Sequence, residues 1–157
     1  MANTRPPPGD QHRFHPTSGD TPKVVSMHAT LLAPETPPLI LDPTLNAPAL
    51  ARRFLAERFR EWGIEDDSDG RLVVSELVTN ALLHGAGQIV VRVYRDESDG
   101  IPVIEVWDQG DGAPVVRPES DTQLNGRGLL TVEGIALKWG TRPITEGGKI
   151  VWARVAA

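Results

Sequence analysis

The sequence predicts a two-layer α/β (α+β) sandwich, in which one mixed, mostly antiparallel β-sheet is covered on one face by about three helices. Three observations lead there. Apolar residues recur at helical spacing over 47–62 and 69–84, and the period then switches to two over 88–108 and again over 147–155. A shorter helical pattern within 126–140 separates the two strand regions. The order helix, helix, strand, strand, helix, strand, strand suits a layer of helices packed on one sheet. With 157 residues, 39% of them hydrophobic, the chain can bury one respectable core, so a single domain is expected.

Each element has its own signature. Residues 1–24 are rich in Pro, Gly, Ser and Asp and poor in aliphatics, which predicts a disordered tail ahead of a folded domain over 25–157. A short edge strand is expected from Met27 to Leu32, followed by the Pro-rich lead-in "APETPPLILDP" (33–43). The first helix, 47–62, has Asn46 as N-cap, Pro48 in its first turn and Gly63 as its stop, and places Leu50, Phe54, Leu55, Phe59 and Trp62 on one face. The second, 69–84, carries Val73, Val74, Leu77, Val78, Ala81 and Leu82 on a broad apolar face and ends at Gly85. "QIVVRVYRDESDGIPVIEVWD" reads as two strands around a Ser98-Asp99-Gly100 turn. "GRGLLTVEGIALKWG" is helical through Leu129, Leu130, Val132 and Ile135 and turns strand-like near Leu137. "GGKIVWARV" closes the sheet after a Gly147-Gly148 turn.

Composition excludes several function classes. Without cysteine there is no disulfide framework and no thiolate zinc site. No apolar run approaches the ~18 residues that span a bilayer, and the N-terminus lacks the apolar core of a signal peptide. The expectation is a cytoplasmic protein with no membrane partner. A net charge of -5 with scattered Lys and Arg argues against direct nucleic-acid binding.

Three stretches carry chemistry that packing alone does not require. In "SELVTNALLHG" (75–85), Glu76, Asn80 and His84 stand four residues apart and form a polar stripe beside the apolar face. Such a stripe is a solvated flank on most helices; here aliphatics hem it on both sides, as in the wall of a half-buried pocket. In "VIEVWDQGDG" (103–112), strand alternation sends Ile104, Val106 and Asp108 to the core side. A buried carboxylate needs donors from a pocket or a ligand, and Gly110 and Gly112 allow close approach beside it. A plain turn accounts for the glycines equally well. In "NGRGLL" (125–130), Gly126 and Gly128 bracket Arg127 at a helix start, where free backbone N–H groups and a guanidinium suit phosphate oxygens.

A rival reading reuses one of these residues. "EDDSDGRLVVSE" (65–76) approaches an EF-hand calcium loop, with Glu65, Asp67 and Asp69 as ligands, Gly70 at the turn and Glu76 as the last carboxylate. Glu at the first position and Val73 at the ninth speak against it. A solvated N-cap turn explains the acids more simply.

As an ordered set, the E-x-x-x-N helix, the strand ending in D-x-G-x-G and the G-x-G helix start resemble the GHKL ATPase superfamily of gyrase, heat-shock-ninety-type chaperones, MutL proteins and histidine kinases. "ELVTNALLHG", "DQGDG", "GRGLLTVEGIALKWG" and "GGKIVWARV" look most like the small bacterial regulators related to anti-sigma-factor serine/threonine kinases, over roughly residues 45–156. The resemblance implies the histidine-kinase-like (Bergerat) fold, with ATP and Mg²⁺ as cofactors. It implies that Asp108 accepts from the exocyclic amine of adenine, that Asn80 binds Mg²⁺ through its carbonyl oxygen, and that Glu76 orients or deprotonates the attacking hydroxyl. Gly110, Gly112, Gly126, Arg127, Gly128 and Leu129 would line the nucleotide, with 113–125 as a short lid. His84 receives no catalytic step.

The chain also departs from that pattern. Gly148-Lys149 stands where histidine-kinase relatives often carry Gly-Thr, so a fourth nucleotide contact is left unassigned. His12, His15 and His28 lie in tail-like or strand-like segments, not on a dimerisation helix, so a sensor kinase that phosphorylates itself is not expected. No P-loop motif occurs. The implied function is a kinase that phosphorylates an anti-sigma-factor antagonist, sequesters a sigma factor, or both, with a homodimer left open. The alternative is a regulator that binds ATP without turning it over.

Overall fold

In a computed structural model of the chain, residues 37–110 and 128–157 are described. They form five strands and three helices: β1 (Leu39–Leu41), α1 (Ala47–Glu61), α2 (Ser68–His84), β2 (Ile89–Arg95), β3 (Pro102–Asp108), α3 (Gly128–Ile135), β4 (Lys138–Pro143) and β5 (Lys149–Arg154). The sheet order is β1-β2-β3-β5-β4, and every described pairing is antiparallel. The parallel neighbours implied by a mixed sheet are therefore not among the described pairs. Because β5 lies between β3 and β4 and opposes both, β3 and β4 run the same way, and α3 makes the crossover between them.

Alternation along the strands decides which face the helices cover. Ile89, Val91 and Val93 of β2, Ile104 and Val106 of β3, and Val151 and Ala153 of β5 point into one core with the helices. At the centre of the helical layer is α2, which packs between α1 and α3 and lies over β2, β3 and β5. Its Val73, Val74, Leu77, Val78 and Ala81 are buried, as the period of 3.6 requires.

The outer face of the sheet is closed differently. Glu105 is only 3% exposed there; it accepts from Tyr94 Oη at 2.8 Å and is ion-paired to Arg92 at 3.2 Å and Arg142 at 2.7 Å. Burial, with the Glu105 carboxylate adding to it, holds the Tyr94 hydroxyl well above its usual pKa. Trp152 lies across Gly140 on the neighbouring strand, where a Cβ would stand 2.8 Å from the indole, so β4 is glycine at that position for packing.

Two local readings change, and one lies outside the described residues. Leu39–Leu41 pairs with β2 as an edge strand inside the segment expected to be only a Pro-rich lead-in. The expected tail over 1–24 and the strand at Met27 to Leu32 lie outside the described residues. On α1 the buried face is Ala47, Ala51, Leu55 and Phe59, while Leu50 is 44% exposed and Phe54 and Trp62 are half-buried. Two alanines let the helix approach closely, so the small residues face inward and the larger Leu50 turns out. Gly63 ends α1 as expected, with φ at +73°.

This rotation has a measurable consequence. Leu55→Ala should lower the unfolding free energy in urea by about 2–5 kcal/mol, the range for a fully buried leucine. Leu50→Ala should stay within about 0.5 kcal/mol of the parent. Equal losses would place the buried face of α1 where the simple periodicity put it.

Candidate functional site

The helix-covered face of the sheet ends in charge. Asp108, the last residue of β3, is 1% exposed on the same face as Ile104 and Val106, as alternation predicts. Its Oδ1 accepts from the Gly110 backbone N–H at 2.7 Å. Lys149, directly opposite on β5, places Nζ 3.4 Å from each carboxylate oxygen and is itself 6% exposed. Oδ2 is buried and has no hydrogen-bond donor.

Two glycines make room for this carboxylate. Gly85 ends α2, and a Cβ there would stand 2.5 Å from Asp108 Cγ; one on Gly110 would stand 2.9 Å from Oδ1. Gln109 N donates to Ala86 O at 2.9 Å, which ties the end of β3 to the segment leaving α2. The chain therefore presses the C-terminal end of α2 onto the Asp108 carboxylate without a side chain between them.

From that end the polar stripe runs back along α2. Asn80 is half-buried, and its Nδ2 is buried without a partner. Glu76 is half-buried one turn earlier, and burial pushes its carboxyl above the usual glutamate range. Its carboxylate abuts the first residue of α3, where a Cβ on Gly128 would meet Oε2 at 2.8 Å. The stripe thus links the start of α3 to Asp108 over about 13 Å of helix, nine residues at the α-helical rise. His84 is exposed and contributes nothing visible to the wall, and Leu72 and Leu83 are 41% and 45% exposed, so the hemming aliphatics are less buried than expected.

The fit to a purine nucleotide rests on what lacks a partner. Among the described residues four buried side-chain polar atoms have none, and two of them, Asn80 Nδ2 and Asp108 Oδ2, lie along this stripe. An acceptor without a donor at Asp108 suits an amino group. A donor without an acceptor at Asn80 suits a phosphate oxygen, which leaves the amide oxygen for a cation. No cluster of three or more His, Asp or Glu among the described residues could cage a metal. Mg²⁺ on Asn80 would therefore complete its oxygen shell from phosphates and water.

Of the expected site residues, Glu76, Asn80, Asp108, Gly110 and Gly128 fall along this one surface. Leu129 is 3% exposed in the core, so only its backbone could face a ligand. Gly112, Gly126, Arg127 and the expected lid lie outside the described residues. Two residues went unassigned in the sequence reading. Gly85 registered only as a helix stop. Lys149 registered only as a departure, although alternation backward from Ala153 and Val151 puts it on the core face beside Asp108.

The calcium-loop reading fails on backbone conformation. Helix α2 begins at Ser68, so Asp69, Gly70 and Glu76 are helical, and Gly70 packs against Phe59 and Leu55 instead of turning. Asp66 Oδ1 accepts from Ser68 N at 3.1 Å, which makes the acidic segment a helix entry. A depression of about 500 Å³ on the outer face of the sheet, between Tyr94, Glu105, Arg142 and Trp152, shares no residue with the stripe. Its Glu105 is already satisfied by three partners.

The Glu76 environment predicts a pH effect. Because the folded carboxyl titrates above the unfolded one, ionising it opposes folding, and the penalty sets in as pH rises through that window. Glu76→Gln should be more stable than the parent at pH 7, with the difference vanishing below the ordinary glutamate pKa. A pH series of urea midpoints that shows the variant less stable at pH 7 would contradict this.

Comparison with known proteins bears on the family and the fold. The family model described as "Histidine kinase-like ATPase domain" matches residues 41–155. No curated protein matches. Among solved structures, the RsbU and RsbW domains of Rv1364c from Mycobacterium tuberculosis align with a TM-score of 0.54 and 29% identity, over 76% of this chain and 32% of that one. The chain thus spans about a third of the length of that neighbour. The match over 41–155 includes every described strand and helix except the first two residues of β1, and the chain belongs to the histidine kinase-like ATPase domain family.

Proposed function

We propose that the protein is an ATP-binding regulator that acts as a serine/threonine kinase of the anti-sigma-factor type, with Mg²⁺·ATP as phosphoryl donor. The observation that carries the nucleotide reading is the buried Asp108 carboxylate, whose Oδ2 lacks a donor beneath the bare end of α2. In this reading Asp108 would take the amino group of adenine and Asn80 would hold Mg²⁺ through its amide oxygen. Gly110 would lie along the base side and the start of α3, at Gly128 and Leu129, by the phosphates, while Gly112, Gly126 and Arg127 are assigned to the nucleotide from the sequence resemblance alone.

The kinase reading draws on Glu76. A half-buried carboxyl beside the start of α3 would orient or deprotonate a hydroxyl attacking a phosphoryl group there, and burial raises its pKa, the direction that strengthens a base. The acceptor would be a serine or threonine of an anti-sigma-factor antagonist. The similarity to a chain that contains an RsbW domain supports this choice of partners, together with the sequence resemblance to the anti-sigma kinases. Sigma-factor sequestration would use the same ATP-bound form. No described helix is long and apolar enough to cross a membrane; action in the cytoplasm belongs to the same proposal.

A regulator that only binds ATP would share the pocket, so the test must separate binding from transfer. Calorimetry with Mg²⁺ should show ATP binding at least tenfold more tightly than GTP, whose six-position offers an acceptor to Asp108. Glu76→Ala should keep ATP affinity within a few-fold but lose labelled-phosphate transfer to a co-purified partner by about 100-fold or more, as expected of a positioned base. Equal ATP and GTP affinities would overturn the adenine reading. Transfer at the parental rate in the variant would remove Glu76 from catalysis.

A further inference from the structure

We propose that Lys149 is a specificity-determining residue of the base pocket, where it donates to the ring nitrogen N1 of adenine while Asp108 accepts from the adjacent amino group. This rests on the reading that Asp108 meets the base, and it concerns what stands beside that carboxylate.

The register of the sheet makes the pair unavoidable. Asp108 and Lys149 are opposed across β3 and β5, and cross-strand partners share a face. The close approach depends on Gly148, whose φ of +92° suits glycine and whose Cβ would collide with the Asp108 carbonyl oxygen. A side chain at 148 would push the start of β5 away from Asp108, and Lys149 with it.

The pair is buried but not closed. Charge-assisted hydrogen bonds between ammonium and carboxylate run to about 2.7–2.9 Å, whereas Nζ stands 3.4 Å from both oxygens. An ammonium carries three donors, and Asp108 is its one described partner, so donor capacity remains beside an acceptor oxygen that also lacks a hydrogen bond. For stability alone, a buried ion pair gives little advantage over apolar residues of the same volume. An acceptor and a donor side by side are instead the complement of the amino group and N1 along one edge of adenine. The pattern makes no demand on the sugar or phosphates, so its effect is on the choice of base.

Base analogues test this in the unmodified protein, measured by calorimetry with Mg²⁺. Purine riboside triphosphate lacks the amino group and reports on Asp108; 1-deaza-ATP replaces N1 by C–H and reports on Lys149. Both should bind about 10- to 100-fold more weakly than ATP, the range for a lost hydrogen bond to a charged group. In Lys149→Met the penalty for 1-deaza-ATP should disappear, while that for purine riboside triphosphate remains. If 1-deaza-ATP binds the parent as tightly as ATP, or if the variant still discriminates against it, Lys149 is only a structural partner of Asp108. If removing the amino group also costs nothing, the base reading of Asp108 falls and this proposal with it. The measurements on the parent decide the question even where Lys149→Met does not fold.

Discussion

The constraint on which the rest of the structure depends is the burial of one carboxylate at the end of a central strand. Asp108 continues an aliphatic series, Ile104 and Val106, into the interface between sheet and helices. Leaving a charge there uncompensated would cost several kcal/mol. The fold answers locally: a backbone N–H from Gly110, an ammonium from Lys149, and a glycine at the end of α2 that lets the helix close over the group without a clash. Three glycines, at 85, 110 and 148, are required by that single side chain or by its backbone.

The compensation is incomplete, and its incompleteness is informative. Oδ2 has no donor, Nζ stays beyond close hydrogen-bonding distance, and Asn80 Nδ2, further along α2, is also unpartnered. On the outer face of the same sheet, Glu105 faces the same problem and meets it with three donors at 2.7–3.2 Å. The contrast separates a buried charge whose hydrogen bonds the fold completes from one whose hydrogen bonds it leaves incomplete. It is the reason the proposed site is put on the helix side, although a depression exists on the other.

Much of this was legible in the sequence, and for physical reasons. Helix α2 and strands β2, β3 and β5 have strong periods, so their faces, and with them the burial of Asp108 and the Glu76–Asn80 stripe, follow from counting. Leu50 was misplaced because a period fixes which residues share a face but not how alanines change the approach of that face. The short β1 was missed because its proline-rich surroundings argue against a strand, whereas pairing with β2 supplies the hydrogen bonds that hold it. Glu65, Asp67 and Asp69 resemble a calcium loop because the spacing of acids does not fix backbone conformation, and the helix from Ser68, one residue ahead of its predicted start, removes the loop. Lys149 registers in the sequence only as a departure, because alternation gives its face but only the register with β3 shows that it opposes Asp108.

The central claim is that Asp108 is kept buried to hold a ligand, and unfolding linkage tests it most directly. A ligand that binds the folded state raises the unfolding free energy by RT ln(1 + [L]/Kd), and that increment follows the affinity of the site. Urea unfolding of the parent and of Asp108→Asn, each with and without saturating Mg²⁺·ATP, should show a nucleotide-dependent rise in midpoint for the parent and little or none for the variant. Equal increments in both proteins would contradict the account.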